Sequence, residues 1–74
     1  MSDITLHEEI RNILIANDNA WLTTHEIAEQ VNRRGKYRKK DRSKVTDHQI
    51  HGSTENYPDL FVRKGSLVRC LQLP

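Results

Sequence analysis

Apolar side chains recur at spacings of three and four residues in three stretches of the chain, which predicts three amphipathic helices. The first is predicted over residues 5–17. Thr5 and Glu8 have the spacing of a capping box, in which hydroxyl and carboxylate each accept a hydrogen bond from the other residue's backbone N–H. The predicted buried face carries Leu6, Ile10, Ile13 and Leu14, with Asn17 beside them. Ile15 lies off that face, so it either contacts a partner or packs under the carboxy-terminal strands.

The second helix begins with the same type of cap, Thr23 with Glu26, and is predicted over residues 23–34. Its buried stripe consists of Ile27, Ala28 and Val31. Gly35 provides the stop, because glycine adopts the left-handed conformation that ends many helices.

A third cap, Thr46 with Gln49, opens a helix predicted over residues 46–55. A helical wheel centred on Ile50 places Thr46, Asp47 and Thr54 inward. Gly52 either allows close approach to a partner's backbone or ends this helix early. The outward face is predicted to offer hydrogen-bonding side chains of moderate length: His48, Gln49, His51 and Ser53.

After Asn56 the apolar period changes from that of a helix to that of a strand. The pattern predicts a β-hairpin over residues 60–72, with a turn at Lys64-Gly65-Ser66, and a short extended piece at Trp21-Leu22. The fold class is therefore α+β, in one domain over residues 1–74. One core is expected to join the elements through Ile10, Ile13, Leu14, Leu22, Ile27, Val31, Ile50, Phe61 and Leu71.

Positive charge is concentrated in one part of the chain. Between Arg33 and Lys44 lie eight of the twelve Lys and Arg residues and a single acid, Asp41, so this segment carries +7 while the rest of the chain carries −5. A basic loop over residues 35–45 thus leads directly into the third helix. A charge run is often only a solvated loop, but closely spaced cations repel one another unless an anionic partner is bound.

The arrangement suits a phosphate backbone followed by base edges. Phosphate contacts are predicted for Lys36, Arg38, Lys39, Lys40, Arg42 and Lys44 in the loop and for Lys64 at the hairpin tip. Tyr37 either binds the nucleic acid or anchors the loop to the core. On the third helix the predicted DNA-binding residues are Thr46, His48, Gln49 and His51. His48 and His51 could share a metal ion, but no third ligand is near in sequence, so no metal site is expected.

The predicted order of helix, strand, helix, helix, strand, strand is that of a winged helix-turn-helix, with the hairpin as the wing. Residues 22–28 (LTTHEIA), the step Arg34-Gly35-Lys36-Tyr37, Thr46, and Phe61-Val62-Arg63 closing onto Leu71 resemble the HARE-type helix-turn-helix domain. The likeness spans roughly residues 8–73. The chain departs from the family pattern at residues 41–45 (DRSKV), where a Gly-Lys-Thr-Pro-like step is usual. HARE-type domains accompany restriction enzymes, chromatin proteins and an RNA polymerase subunit, so the resemblance implies DNA binding.

Two function classes follow for the chain. The first is a double-stranded DNA-binding module, and the alternative is a protein-interaction winged helix that uses the wing or the Ile15 face of the first helix. A chain of 74 residues has little room for a shielded cleft, so no enzyme, cofactor or small-molecule substrate is expected. Cys70 is the only cysteine, and no apolar run approaches the roughly 20 residues that span a bilayer. We expect a cytoplasmic protein, found at the nucleoid or nucleus when bound to DNA.

Overall fold

Three helices and a three-stranded antiparallel sheet form the part of the chain that a computed structural model describes, residues 4–37, 39 and 43–71. The elements are α1 (Leu6–Ala16), β1 (Leu22–Thr23), α2 (Thr24–Arg34), α3 (Asp47–Asn56), β2 (Phe61–Lys64) and β3 (Leu67–Cys70). The predicted α+β class with a carboxy-terminal hairpin is confirmed, and the order of elements is compatible with a winged helix-turn-helix. None of the described helices is both long and apolar enough to cross a membrane.

All three helices begin with complete capping boxes, at Thr5, Thr23 and Thr46. Because each box satisfies amide groups that the helix itself leaves unpaired, it fixes where the helix starts. The helices accordingly begin and end within one residue of the predicted bounds. Gly35 ends α2 in the left-handed conformation, with φ at 66°.

The sheet has the strand order β1-β3-β2. Leu22 of β1 pairs with Val68 of β3, and Phe61 of β2 pairs with Cys70. These four side chains are buried, so they lie on the face of the sheet that covers the helices. Gly65, with φ at 64°, supplies the positive φ that the tight turn between β2 and β3 requires.

One buried cluster joins helices and sheet. Eight of the nine predicted core residues belong to it, together with Ala28, Val45, Val68 and Cys70. Leu71 was predicted to be buried, but this prediction is wrong, since its side chain is 52% exposed. Side chains alternate between the two faces of a strand, and Val68 and Cys70 take the inward positions of β3. Ile15 is half-buried and packs against the cluster, as the packing alternative predicted.

The helical wheel predicted burial correctly in the middle of α3 and wrongly at its start. Ile50 and Thr54 are buried as predicted, whereas Thr46 and Asp47 are exposed. Both side chains bend toward the helix terminus: the Thr46 hydroxyl accepts from the Gln49 N–H, and the Asp47 carboxylate accepts from the His48 N–H. Gly52 does not end the helix, which continues to Asn56.

Candidate functional site

Both ends of the basic loop are fixed to the fold. At its start, the Gly35 N–H donates to the Val31 carbonyl at 3.2 Å. At its end, the Asn32 side chain forms two hydrogen bonds to the backbone of Val45, donating to the carbonyl at 3.0 Å and accepting from the N–H at 2.9 Å. The Val45 side chain is itself buried in the core. This pair of bonds, the Asn32–Val45 clamp, fixes the end of the loop one residue before the cap of α3.

The described loop cations differ in exposure. Lys36 and Lys44 are exposed, and Lys39 is half-buried. Tyr37 is half-buried against the core cluster, which supports the interpretation that it anchors the loop. The other predicted phosphate-binding residues of the loop, Arg38, Lys40 and Arg42, lie outside the described residues. Their predicted contacts stay predictions.

One cation of the basic run points into the fold. Arg34 Nε lies 2.7 Å from Glu9 Oε2, and the Glu9 side chain is completely buried. The second carboxylate oxygen of Glu9, Oε1, is buried and has no hydrogen-bond partner among the described residues. Because a buried carboxylate is costly without a partner charge, Arg34 serves the fold and is not free for a ligand. Arg33, its exposed neighbour in the same helix turn, stays open to solvent.

Two of the four predicted α3 residues take part in the helix cap. The Thr46 N–H donates to the Gln49 side-chain oxygen at 2.9 Å, and the Gln49 N–H donates to the Thr46 hydroxyl at 3.3 Å. A base contact by the Gln49 side chain must therefore use its amide nitrogen or break the cap. His48 is exposed and extends from the helix beside this cap.

His51 lies in a contact between α3 and the β2–β3 hairpin. Arg63 Nη2 of β2 lies 2.8 Å from Nδ1 and 3.0 Å from Nε2 of the His51 ring. Since the two ring nitrogens point in different directions, one guanidinium nitrogen can be close to both only over the ring face. Glu55 completes the group, with Oε2 at 3.5 Å from His51 Nε2 and 3.8 Å from Arg63 Nη1.

The sequence indicates Arg63 as a cation beside Lys64 at the hairpin tip, but its contact with His51 and Glu55 was not predicted. The spacing of four residues between His51 and Glu55 places these two on one side of α3. That spacing does not reveal that a strand later in the chain supplies a cation between them.

The exposed face of α3, the start of α2 and the turn between β2 and β3 lie side by side. Thr24, Asp47, His48 and His51 line a shallow depression between the two helices. The Thr24 N–H donates to the carbonyl of Ser66 in that turn at 2.9 Å, which ties the hairpin to the start of α2. Lys64 is exposed at the end of β2, next to that turn. The carboxylates of Asp47 and Glu55 belong to the same α3 surface, so it is not uniformly positive.

The described residues give little support for a reactive nucleophile or a metal-binding site. Burial raises the pKa of the Cys70 thiol, so this group stays protonated and unreactive at neutral pH. Among residues 4–37, 39 and 43–71, no three or more His, Cys, Asp or Glu side chains are grouped so that they could hold a metal ion.

No protein-family model matches the chain, and neither a curated protein nor a solved structure matches it significantly.

Proposed function

We propose that this domain binds double-stranded DNA in the manner of a winged helix-turn-helix. In this proposal the basic loop and Lys64 contact phosphates, and α3 faces the major groove. The resemblance to HARE-type domains is part of the same proposal.

The observation that carries the proposal is a basic loop held at both ends beside an exposed helix. Lys36 and Lys44 are exposed on a segment whose ends are fixed by Gly35 and by the Asn32–Val45 clamp. A loop held in this way loses less conformational freedom when it binds than a free chain does. Each lysine that meets a phosphate releases counterions from the duplex, which favours binding without regard to sequence.

The charges on the α3 surface determine which part of the domain should supply most of the affinity for DNA. Asp47 and Glu55 carry charges of the same sign as the DNA, and the Thr46 and Gln49 side chains are engaged in the cap. We therefore expect the loop to supply most of the affinity. His48, exposed and outside the cap, is the α3 side chain best placed to contact a base edge, and imidazole can bond guanine or a phosphate.

A comparison of two double variants tests the proposal. Replacing Lys36 and Lys44 by Gln removes two exposed loop cations, and replacing Arg11 and Arg69 by Gln removes two cations elsewhere. On a random duplex at about 0.15 M salt, the loop variant should bind about tenfold or more weakly than the parent, because glutamine at these two positions cannot neutralise a phosphate. The control variant should bind within about twofold of the parent, because its two cations make no phosphate contact in this proposal.

Thermal unfolding of each variant establishes that it is folded before binding is measured. If the loop variant binds the duplex as tightly as the parent, the loop is merely solvated and the proposal fails. The alternative, a protein-interaction winged helix, then gains support. The exposed carboxylates of Asp47 and Glu55 favour that alternative on the α3 surface, whereas the packing of Ile15 against the core disfavours α1 as the docking site.

A further inference from the structure

The sheet has a second face that no other element of the described chain covers. Strand alternation puts Leu22, Phe61, Val68 and Cys70 against the helices. The alternate positions of the same strands, with Trp21 just before β1 and Leu71 just after β3, point to the opposite side. This outer sheet face consists of Trp21, Thr23, Val62, Lys64, Leu67, Arg69 and Leu71.

Large exposed apolar side chains are concentrated on the outer sheet face. The described residues contain three of them, and two belong to this face: Trp21 is 37% exposed and Leu71 is 52% exposed. The third, Tyr57, stacks on His7 with ring centroids 4.0 Å apart, on the helical side of the molecule. Val62 and Leu67 are half-buried on the same face, where Val62 pairs with Arg69 and Leu67 pairs with Lys64. Exposed apolar side chains grouped on one face can mark an interaction site.

The charges on this face are positive, at Arg69 and Lys64. The Arg69 guanidinium lies 4.9 Å from the centre of the Trp21 ring, and Lys64 is exposed at the other end of the face. None of the seven residues of the outer sheet face is acidic, and among the described residues no carboxylate lies within ion-pair distance of Arg69 or Lys64. A guanidinium that already rests on an indole is partly desolvated, which strengthens its attraction for a carboxylate.

We propose that the outer sheet face docks a short segment of a partner protein that carries both acidic and apolar side chains. The apolar side chains would cover Val62, Leu67 and Leu71, and an acidic side chain would pair with Arg69. Tryptophan and arginine are the residue types that most often dominate binding energy at protein interfaces. A DNA duplex fits the outer sheet face poorly, because this face is largely apolar and provides only two cations.

This inference does not depend on DNA binding. The helices pack against the inner face of the sheet, so a segment on the outer sheet face leaves the basic loop and α3 open. The two partners can therefore be bound by one molecule at the same time.

Selection from a random peptide library displayed on phage, with the complete chain as bait, tests the proposal. The enriched peptides should combine acidic and apolar residues. Trp21→Ala and Arg69→Gln should each weaken a synthetic copy of the best peptide by about tenfold or more. Tyr57→Ala, which removes an aromatic ring of similar exposure from the helical side, should leave its binding within about twofold of the parent. Melting temperatures close to that of the parent establish that the variants are folded.

Three outcomes would overturn the proposal: no enriched peptide, enriched peptides without acidic residues, or peptides that bind the Trp21→Ala and Arg69→Gln variants as well as the parent. Binding of a single-stranded oligonucleotide of random sequence that depends on Trp21 would also overturn it, since the face would then be a stacking platform for bases. The variant lacking the Lys36 and Lys44 charges should bind the selected peptide as the parent does. Failure of DNA binding and failure of peptide docking are thus measured separately.

Discussion

Two asparagine side chains replace backbone partners at the places where regular structure ends. Asn32 bonds both the N–H and the carbonyl of Val45, and Asn19 bonds both backbone groups of Cys70, at 2.7 and 3.1 Å. A side-chain amide can do this because it presents one donor and one acceptor side by side, as a peptide group does. Asn32 thereby fixes the loop end that no helix or sheet holds, and Asn19 bonds the last residue of β3 beyond the point where β1 pairs with that strand.

Replacing Asn32 by Ala tests what the clamp contributes. Both backbone groups of Val45 would lose their partners, so we expect the free energy of unfolding to fall by about 1 to 2 kcal/mol. The Val45 amide proton should exchange faster with solvent, as measured by hydrogen exchange in NMR. Asn12→Ala, at an exposed position of α1, is the matched control and should change neither quantity. An unchanged exchange rate at Val45 would mean that the clamp does not hold the loop.

The Glu9–Arg34 ion pair is the residue-scale interaction with the largest expected effect on stability. Arg34→Met keeps much of the side-chain length but leaves the Glu9 carboxylate buried without its cation, which should cost about 3 kcal/mol in urea unfolding. Arg33→Met, one residue earlier and exposed, should cost less than about 0.5 kcal/mol. Adding Glu9→Gln to Arg34→Met should restore part of the loss. If the two single Arg variants are equally stable, the pair is not a structural requirement.

At the scale of the elements, the capping boxes make two carboxylates sensitive to acid. Hydrogen bonds from the side chain and backbone N–H of Thr5 lower the pKa of Glu8 below its usual 4.5, and hydrogen bonds from Thr23 lower the pKa of Glu26 in the same way. A group whose pKa is lower in the folded state stabilises the fold fully above its unfolded pKa, and this contribution is lost as the pH falls through the folded pKa. The caps should therefore weaken below about pH 4.5.

Unfolding measured by circular dichroism between pH 7 and pH 3 tests this expectation against a variant carrying Glu8→Gln and Glu26→Gln. Glutamine still accepts from the cap N–H but does not titrate. The parent should exceed the variant in stability at neutral pH, and the difference should shrink as the pH falls below about 4.5. A difference that stays constant over the whole range would contradict the role given to the two carboxylates.

The extents of the helices could be predicted from sequence because caps and apolar spacing are local signals. Residues whose environment depends on distant parts of the chain could not be placed in this way. Glu9 lies in the first turn of α1, where the helix dipole favours an acid, yet its side chain is buried and paired with Arg34 of α2. Leu71 was predicted to be in the core because it is apolar. The alternation of side chains along β3 instead puts it on the outer face, with Arg69.

The sequence predicted the types of residue in the candidate site but not the contacts between them. The concentration of lysine and arginine before α3 is visible in the sequence. The contact of His51 with Arg63 could not be predicted without knowing that β2 packs beside α3. The Asn32–Val45 clamp joins positions on either side of the loop. The sequence predicted both the cap at Thr46 and a base contact by Gln49, and the structure reveals that these two roles compete for one side chain.

At the scale of the whole molecule, the basic loop and the exposed apolar side chains of the outer sheet face lie on different parts of the surface. The basic loop lies at the junction of α2 and α3, whereas the outer sheet face lies across the core from the helices. The chain outside Arg33–Lys44 carries −5 in total, and its exposed cations on the hairpin are Lys64 and Arg69. A duplex should therefore approach the loop side, where its phosphates meet most of the cations.

The salt dependence of binding to random duplex DNA tests this central claim most directly. The association constant is measured by fluorescence anisotropy at several salt concentrations for the parent and for a variant with Lys36, Lys39 and Lys44 all replaced by Gln. We predict that the logarithm of the constant falls linearly with the logarithm of salt concentration for the parent, and that the variant's slope is shallower by about 0.9 for each phosphate that a replaced lysine neutralises in the parent. Equal slopes for the two proteins, or no measurable binding by the parent at low salt, would contradict the claim that the loop binds DNA.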